Sequence, residues 1–113
     1  MTLKNSSKET VIVQNLELAE SFVSRAMGLL GRKELPENTG LWIRPCSDIH
    51  TWFMQFDFDA VFVDSKLIVQ SVHPKLKPWK FVFQRKAKSV FELPEGQVQK
   101  SKIEVGDQLY VVS

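Results

Sequence analysis

Three things are scarce in this chain: cysteine, long apolar runs and net charge. Cys46 is the single cysteine, which excludes an internal disulfide framework and a zinc cluster built on cysteines. One thiol fits a reducing compartment. There is no run of about 20 apolar residues, so no membrane-spanning helix is expected. The opening MTLKNSSKET lacks the apolar middle of a secretory signal, and residues 1–9 read as a polar, frayed tail. The expected address is cytoplasmic, with export the alternative if a leader has been replaced by Met1. Internal repeats, low-complexity tracts and linkers are also missing. A formal net charge of +2 is too small to name a partner.

What is present describes one globular domain, residues 10–113. A chain of 113 residues is enough for one core and too short for two. Hydrophobic residues at 43% and charged ones at 25% are ordinary for a packed domain, and eight Phe with three Trp supply bulk for its core. The charge is unevenly distributed. Lys75, Lys77, Lys80, Arg85, Lys86 and Lys88 lie between His73 and Lys88 without an acid, leaving a net −4 for the rest of the overall +2.

The stretch from Gly40 to Asp64 is the most apolar in the chain, yet it holds Cys46, His50, Trp42, Trp52 and four acids. Around it, hydrophobic periodicity sets out the elements. Residues 10–18, TVIVQNLEL, read as a first strand with a bend near Asn15. Over residues 19–31 the period changes, with Phe22, Ala26 and Leu29 and then Val23, Met27 and Leu30 at helical spacing. Ser21 can cap that helix and Gly31 can stop it, while Arg25 and Arg32, two turns apart, share one face. Residues 33–39 are a polar loop and GLWIR a short strand ended by Pro45. Cys46 to His50 reads as a loop or a single helical turn. Beyond Trp52, strand alternation puts Phe56, Phe58, Ala60 and Phe62 on one face and Asp57, Asp59, Val61 and Val63 on the other. Both faces are apolar past Asp59, so this is a central strand covered on both sides. Asp64-Ser65 turns into a hairpin partner over 66–72, and His73-Pro74 and Lys77-Pro78 enforce extended backbone. Strands at 79–83, 87–93 and 108–112, turns at Pro94–Gly96 and Gly106-Asp107 and a helical turn within 97–104 complete the chain. The sum is a mainly β domain with one packed helix, a compact antiparallel sandwich or barrel.

Four polar constellations carry candidate chemistry, and each has a plainer alternative. Cys46 and His50 are four apart and would face the same way on one helical turn, as a nucleophile and its base do. The alternative is an inert packed cysteine beside a backbone-bonded histidine. His50, Asp57 and Asp59 offer metal-ligand types, but their spacing matches no ligand pattern, so neither a metal nor a cofactor is expected. Arg25 and Arg32 with Asp59 and Glu92 form either an anion-recognising pair of guanidiniums or a helix-to-sheet salt bridge, and the buried position of Asp59 favours the bridge. Finally, Trp79, Phe81 and Phe83 amid the cations suit stacking and phosphate contact. Their alternation with Lys80, Val82 and Gln84 instead points them into the core, which disfavours nucleic acid as a partner.

The sequence resembles the domain-of-unknown-function family 192, a group of small bacterial and archaeal proteins. The resemblance rests on RAMGLLGR at 25–32 followed by Leu35-Pro36, GLWI at 40–43, IHTWFM at 49–54 running through DAVFVD at 59–64, and VFELPEG at 90–96 with Gly106-Asp107. It implies a compact, jelly-roll-like β fold with a helix packed on it, and no agreed activity, substrate or catalytic residue. Many members look exported, with a leader that is not seen here. The family motifs fall on Arg25, Arg32, His50, Thr51, Asp59 and Glu92.

The leading expectation is a binding module with a small-molecule or peptide ligand in a cleft between helix 19–31 and the sheet. Trp42, Trp52, Phe53 and Met54 would line it, with Arg25, Arg32, His50, Thr51, Asp59 and Glu92 as polar anchors. One alternative is an enzyme using His50 with Asp59 or Cys46. The other is a nucleic-acid or protein interaction surface along Lys75–Lys88.

Overall fold

The computed structural model describes residues 1–20, 33–52 and 54–113. Arg25, Arg32, Phe53 and the expected 19–31 helix from Ser21 onward lie outside the described residues; Ala19 itself closes a strand.

Ten strands and one short helix are described. They are β1 (Thr2–Asn5), β2 (Thr10–Val13), β3 (Asn15–Ala19), β4 (Thr39–Ile43), β5 (Asp48–His50), β6 (Phe58–Val63), β7 (Val69–Leu76), β8 (Phe81–Phe83), β9 (Ser89–Pro94), α1 (Gln97–Lys100) and β10 (Leu109–Val112). They build a five-stranded sheet in the order β3-β4-β9-β6-β7, a three-stranded sheet β10-β1-β2 and a two-stranded ribbon β5-β8. The fold is mainly β, as the sequence indicates, and the described strands form no closed barrel. One pairing departs from the antiparallel expectation: β3 and β4 run parallel, Asn15 beside Thr39 through Ala19 beside Ile43.

The five-stranded sheet is the middle layer. Every residue of β6 and of β9 is buried, so successive side chains enter two different cores. Trp42, Val61, Val63, Phe91 and Leu93 face the three-stranded sheet and meet Leu3, Ile12, Val13, Leu109, Val98 and Ile103. Leu41, Ile43, Phe58, Ala60, Phe62 and Val90 face the other way, where Ile49 is buried and Val82 packs from the ribbon. The alternation expected from Phe56 to Val63 is thus realised. Gly40 permits close layering: a Cβ there would come within 3.1 Å of Leu93 and 3.2 Å of Val13, so only glycine fits without a shift.

The first nine residues are not a frayed tail. Thr2–Asn5 pair with β10 on one side and β2 on the other, and Leu3 and Asn5 are buried. Asn5 is fixed across the chain, donating its side-chain N–H to Asp107 at 2.9 Å. Asp107 also accepts from the Lys8 ammonium at 2.8 Å and the Glu104 backbone N–H at 3.0 Å. The expected first strand at 10–18 is two strands in two sheets. Its bend lies at Gln14, whose backbone N–H is held by the Asn38 side chain at 2.8 Å.

Two outcomes follow from this anchoring. Leu3→Ala should lower unfolding stability by about 2–5 kcal/mol, the usual cost of truncating a core leucine, read as a shifted denaturant midpoint at constant slope. A loss below about 0.5 kcal/mol would mean that β1 is dispensable. Asp107 supplies a pH signature. Burial alone would push its carboxyl up, but hydrogen bonds from Lys8, Asn5 and the Glu104 N–H hold it below its ordinary 3.8. Its contribution is therefore present above the unfolded-state value and is lost as pH falls below about 4. Asp107→Asn should be less stable than wild type at pH 7 and show a flatter loss on acidification; parallel acid limbs would refute the linkage.

Candidate functional site

The described candidate residues fall on two faces of the middle sheet, and its register explains why. Asp59 stands opposite Leu93 and Ala60 opposite Glu92. Cross-strand partners share a face, so Asp59 looks toward the three-stranded sheet and Glu92 toward the ribbon. Asp59 and Glu92 cannot belong to a single ionic group.

Asp59 is a structural clamp. It is 0% exposed, and its carboxylate accepts backbone N–H bonds from Lys75 at 2.9 Å, Gly96 at 3.2 Å and Val98 at 2.8 Å. The first satisfies the strand irregularity opposite Asp59, where Pro74 and Lys75 of β7 face the single Asp59 of β6 between Phe58 beside Leu76 and Ala60 beside His73, and where Lys75 has φ +53°. The other two hold the entry to α1, where Gly96 has φ +90°. With its oxygens so engaged, Asp59 cannot assist His50.

Thr51 is likewise a clasp. Buried at 1% exposure, its hydroxyl donates to the Lys77 carbonyl at 2.6 Å and accepts from the Lys80 N–H at 2.8 Å. Its own N–H donates to the Lys80 carbonyl at 2.8 Å. Trp42 lies in the core shared with the three-stranded sheet, stacked on Phe91 at 5.3 Å and donating its indole N–H to Ser89 at 3.0 Å. It is a core residue. Met54 packs against the opposite core.

The remaining candidates converge. Between the ribbon and the middle sheet lies an open hollow of about 600 Å³, lined by Cys46, Asp48, His50, Lys88 and Glu92 above Ile43, Ile49 and Ala87. Cys46 and His50 come together here, though not on a helical turn: Asp48–His50 is a strand paired with β8. The Cys46 thiol donates to the Asp48 carbonyl at 2.9 Å. Glu92 is buried in the wall. Trp52 tilts against His50, ring centroids 5.1 Å apart, and is 48% exposed.

Asp48 and Lys88 were not singled out by sequence. Lys88 was read as part of a charge run; the signal for Asp48 was the period-2 pattern of Asp48-Ile49-His50, too short to register. No group of three or more His, Cys, Asp or Glu able to hold a metal occurs among the described residues. A second, polar groove of about 430 Å³ runs between β2 and α1, past Thr10, Asn38, Gln97 and Lys100.

The β-layered fold agrees with what the chain is similar to. Residues 2–111 match the model of DUF192, described as an uncharacterized family, and the chain belongs to that family. A UPF0127 protein of Pyrococcus abyssi is 34% identical over 111 residues, covering 93% of this chain and 92% of its own length. A UPF0127 protein of Pyrococcus horikoshii is 32% identical, covering 93% and 94%. Both sequence relatives are archaeal. A crystal structure from Novosphingobium aromaticivorans, of a protein of unknown function, superposes with TM-score 0.82 at 21% identity, covering 97% of this chain and 82% of that one. At that identity the likeness speaks for the fold alone. No helix among the described residues is long and apolar enough to cross a membrane.

The clamp gives a direct test. Asp59→Ala strands three backbone N–H groups, each costing about 1–3 kcal/mol when buried and unmet. The variant should therefore lose about 3 kcal/mol or more in denaturation, with the β7–α1 amides exchanging fastest. Near-wild-type stability would return Asp59 to the list of functional residues.

Proposed function

We propose that this protein is a binding module whose ligand, a small molecule or a short peptide, occupies the hollow between the β5-β8 ribbon and the middle sheet. The observation that carries this reading is the convergence of Cys46, His50 and Glu92 with Asp48 and Lys88 on one hollow of about 600 Å³ floored by Ile43, Ile49 and Ala87. That volume is within the range of small-ligand pockets, and an apolar floor with a few polar groups is how such pockets fix orientation. A ligand with an apolar body and one or two polar groups suits it.

An enzymatic reading finds less support. The histidine lacks the carboxylate partner the sequence suggested, because Asp59 is spent on backbone amides on the other face of the sheet. The Cys46 thiol donates to the neighbouring Asp48 carbonyl at 2.9 Å. Membership of an uncharacterized family lends no activity. The single cysteine supports a cytoplasmic address.

Native mass spectrometry of the protein purified gently from its own host should show an extra mass that is lost on denaturation. His50→Ala and Lys88→Ala, both at exposed positions, should keep the wild-type melting temperature and lose that mass, or weaken binding of the recovered compound about tenfold (~1.4 kcal/mol). A bare mass, together with no thermal stabilisation across a library of small molecules and peptides, would sink the reading.

A further inference from the structure

The aromatic run beside the hollow faces opposite to the sequence expectation. Trp79, Phe81 and Phe83 are 64%, 61% and 58% exposed; it is Val82, with Ile49 across from it, that packs inward. On the face of the ribbon opposite Ile49 and Val82, His50 stands beside Phe81 and Asp48 beside Phe83, both also bordering the rim of the hollow, with Trp52 against His50 at 5.1 Å. The Trp79 N–H donates to the Thr51 carbonyl at 3.1 Å, which brings the two tryptophan segments together at one end. Around these rings Lys75, Lys80, Arg85, Lys86 and Lys88 are exposed. Among the described residues, Lys77 alone of the six cations forms an ion pair, at 3.0 Å from Asp57.

We propose that this outward ribbon face is a docking platform for single-stranded nucleic acid. The partner must offer planar faces to exposed rings and anions to the cations interleaved and flanking them, and a single strand alternates the two along its length. Strand geometry suits this. Phe81 and Phe83 are two residues apart and so stand about 7 Å apart on one face, as aromatic side chains on a sheet do when they stack successive bases. A second copy of the ribbon is disfavoured by like charge meeting like charge. A bilayer is disfavoured because the rings are spread along both strands and their flanks, with the Asp48 carboxylate among them, in place of one apolar tip. A duplex keeps its base faces stacked inside and offers the rings nothing. The platform rests on the ribbon's outer rings, and its test spares the lining of the hollow.

The experiment is a titration of the full chain with a short oligothymidylate and with a duplex of the same length, followed by tryptophan emission. Trp52 and Trp79 should be quenched by the single strand. Affinity should fall with salt by a slope of about 0.7 per phosphate contacted, and the duplex should bind about tenfold or more weakly. Phe81→Leu and Phe83→Leu keep an apolar side chain at an exposed position but remove the ring; each should keep the fold by circular dichroism and weaken binding roughly fivefold to a hundredfold. Lys80→Glu with Lys86→Glu should lower the salt slope. The proposal is overturned by unchanged emission at low salt, by equal affinity for duplex, or by leucine variants that bind like wild type. It also falls if anionic vesicles shift the emission while the oligonucleotide does nothing, or if the ribbon is consumed by concentration-dependent dimerisation.

Discussion

A sheet covered on both faces leaves its inner strands no neutral position, and this constraint governs the molecule. Along β6 and β9 each side chain enters either the core shared with the three-stranded sheet or the core under the ribbon. A carboxylate placed there loses its water and must be compensated locally. Asp59 meets that demand with three backbone N–H donors. In doing so it fixes the irregular start of β7 and the entry to α1, two backbone features that have no ladder partner of their own. Glu92, one step out of phase by register, is delivered to the opposite side and becomes part of the hollow. The same alternation that builds the core therefore separates two acids that lie close along the paired strands.

The ribbon depends on that middle layer. An isolated pair of strands is marginal in water unless one face is packed. Here Ile49 and Val82 supply the packed face, and Thr51 ties the ends of the ribbon with hydrogen bonds to Lys77 and Lys80. The hollow is the space left where the ribbon stands off from β4 and β9. Its polar groups are thereby held by two different elements, Asp48 and His50 on the ribbon and Glu92 on the sheet. Side chains mounted on paired strands are held more firmly than those on a loop, which suits recognition of a ligand.

Much of the fold was legible because its cues are local. The alternation from Phe56 to Val63 identified a doubly covered central strand, and Gly96 and Gly106 marked turns that adopt positive φ. The bend expected near Asn15 falls at Gln14, between β2 and β3. What failed depends on distant partners. β1 is four residues of modest hydrophobicity, and its inward Leu3 and Asn5 acquire meaning only through β10, about a hundred positions on. Cys46 to His50 was read with a helical period because three residues are too few to show a strand's. Of the residues singled out by type, His50, Cys46 and Glu92 line the hollow, whereas Trp42 is packed in the core and Thr51 and Asp59 are bonded to backbone groups. A buried polar residue looks the same in sequence whether it serves a ligand or the backbone.

The aromatic run shows most clearly where sequence reading stops. Alternation establishes that Trp79, Phe81 and Phe83 share a face, but it does not say which face is inward; that sign is set by the strand across. Ile49 is the buried residue of β5, and its partner Val82 must lie beside it on the core side. Phe81 and Phe83 are thereby turned to solvent although Val82 is the smaller apolar residue. Core burial would have favoured the reverse arrangement by about 25 cal/mol for each Å² of ring surface covered. A ribbon that forgoes that gain, and gathers its large exposed rings among cations, presents the exposed apolar patch on which the proposed docking rests.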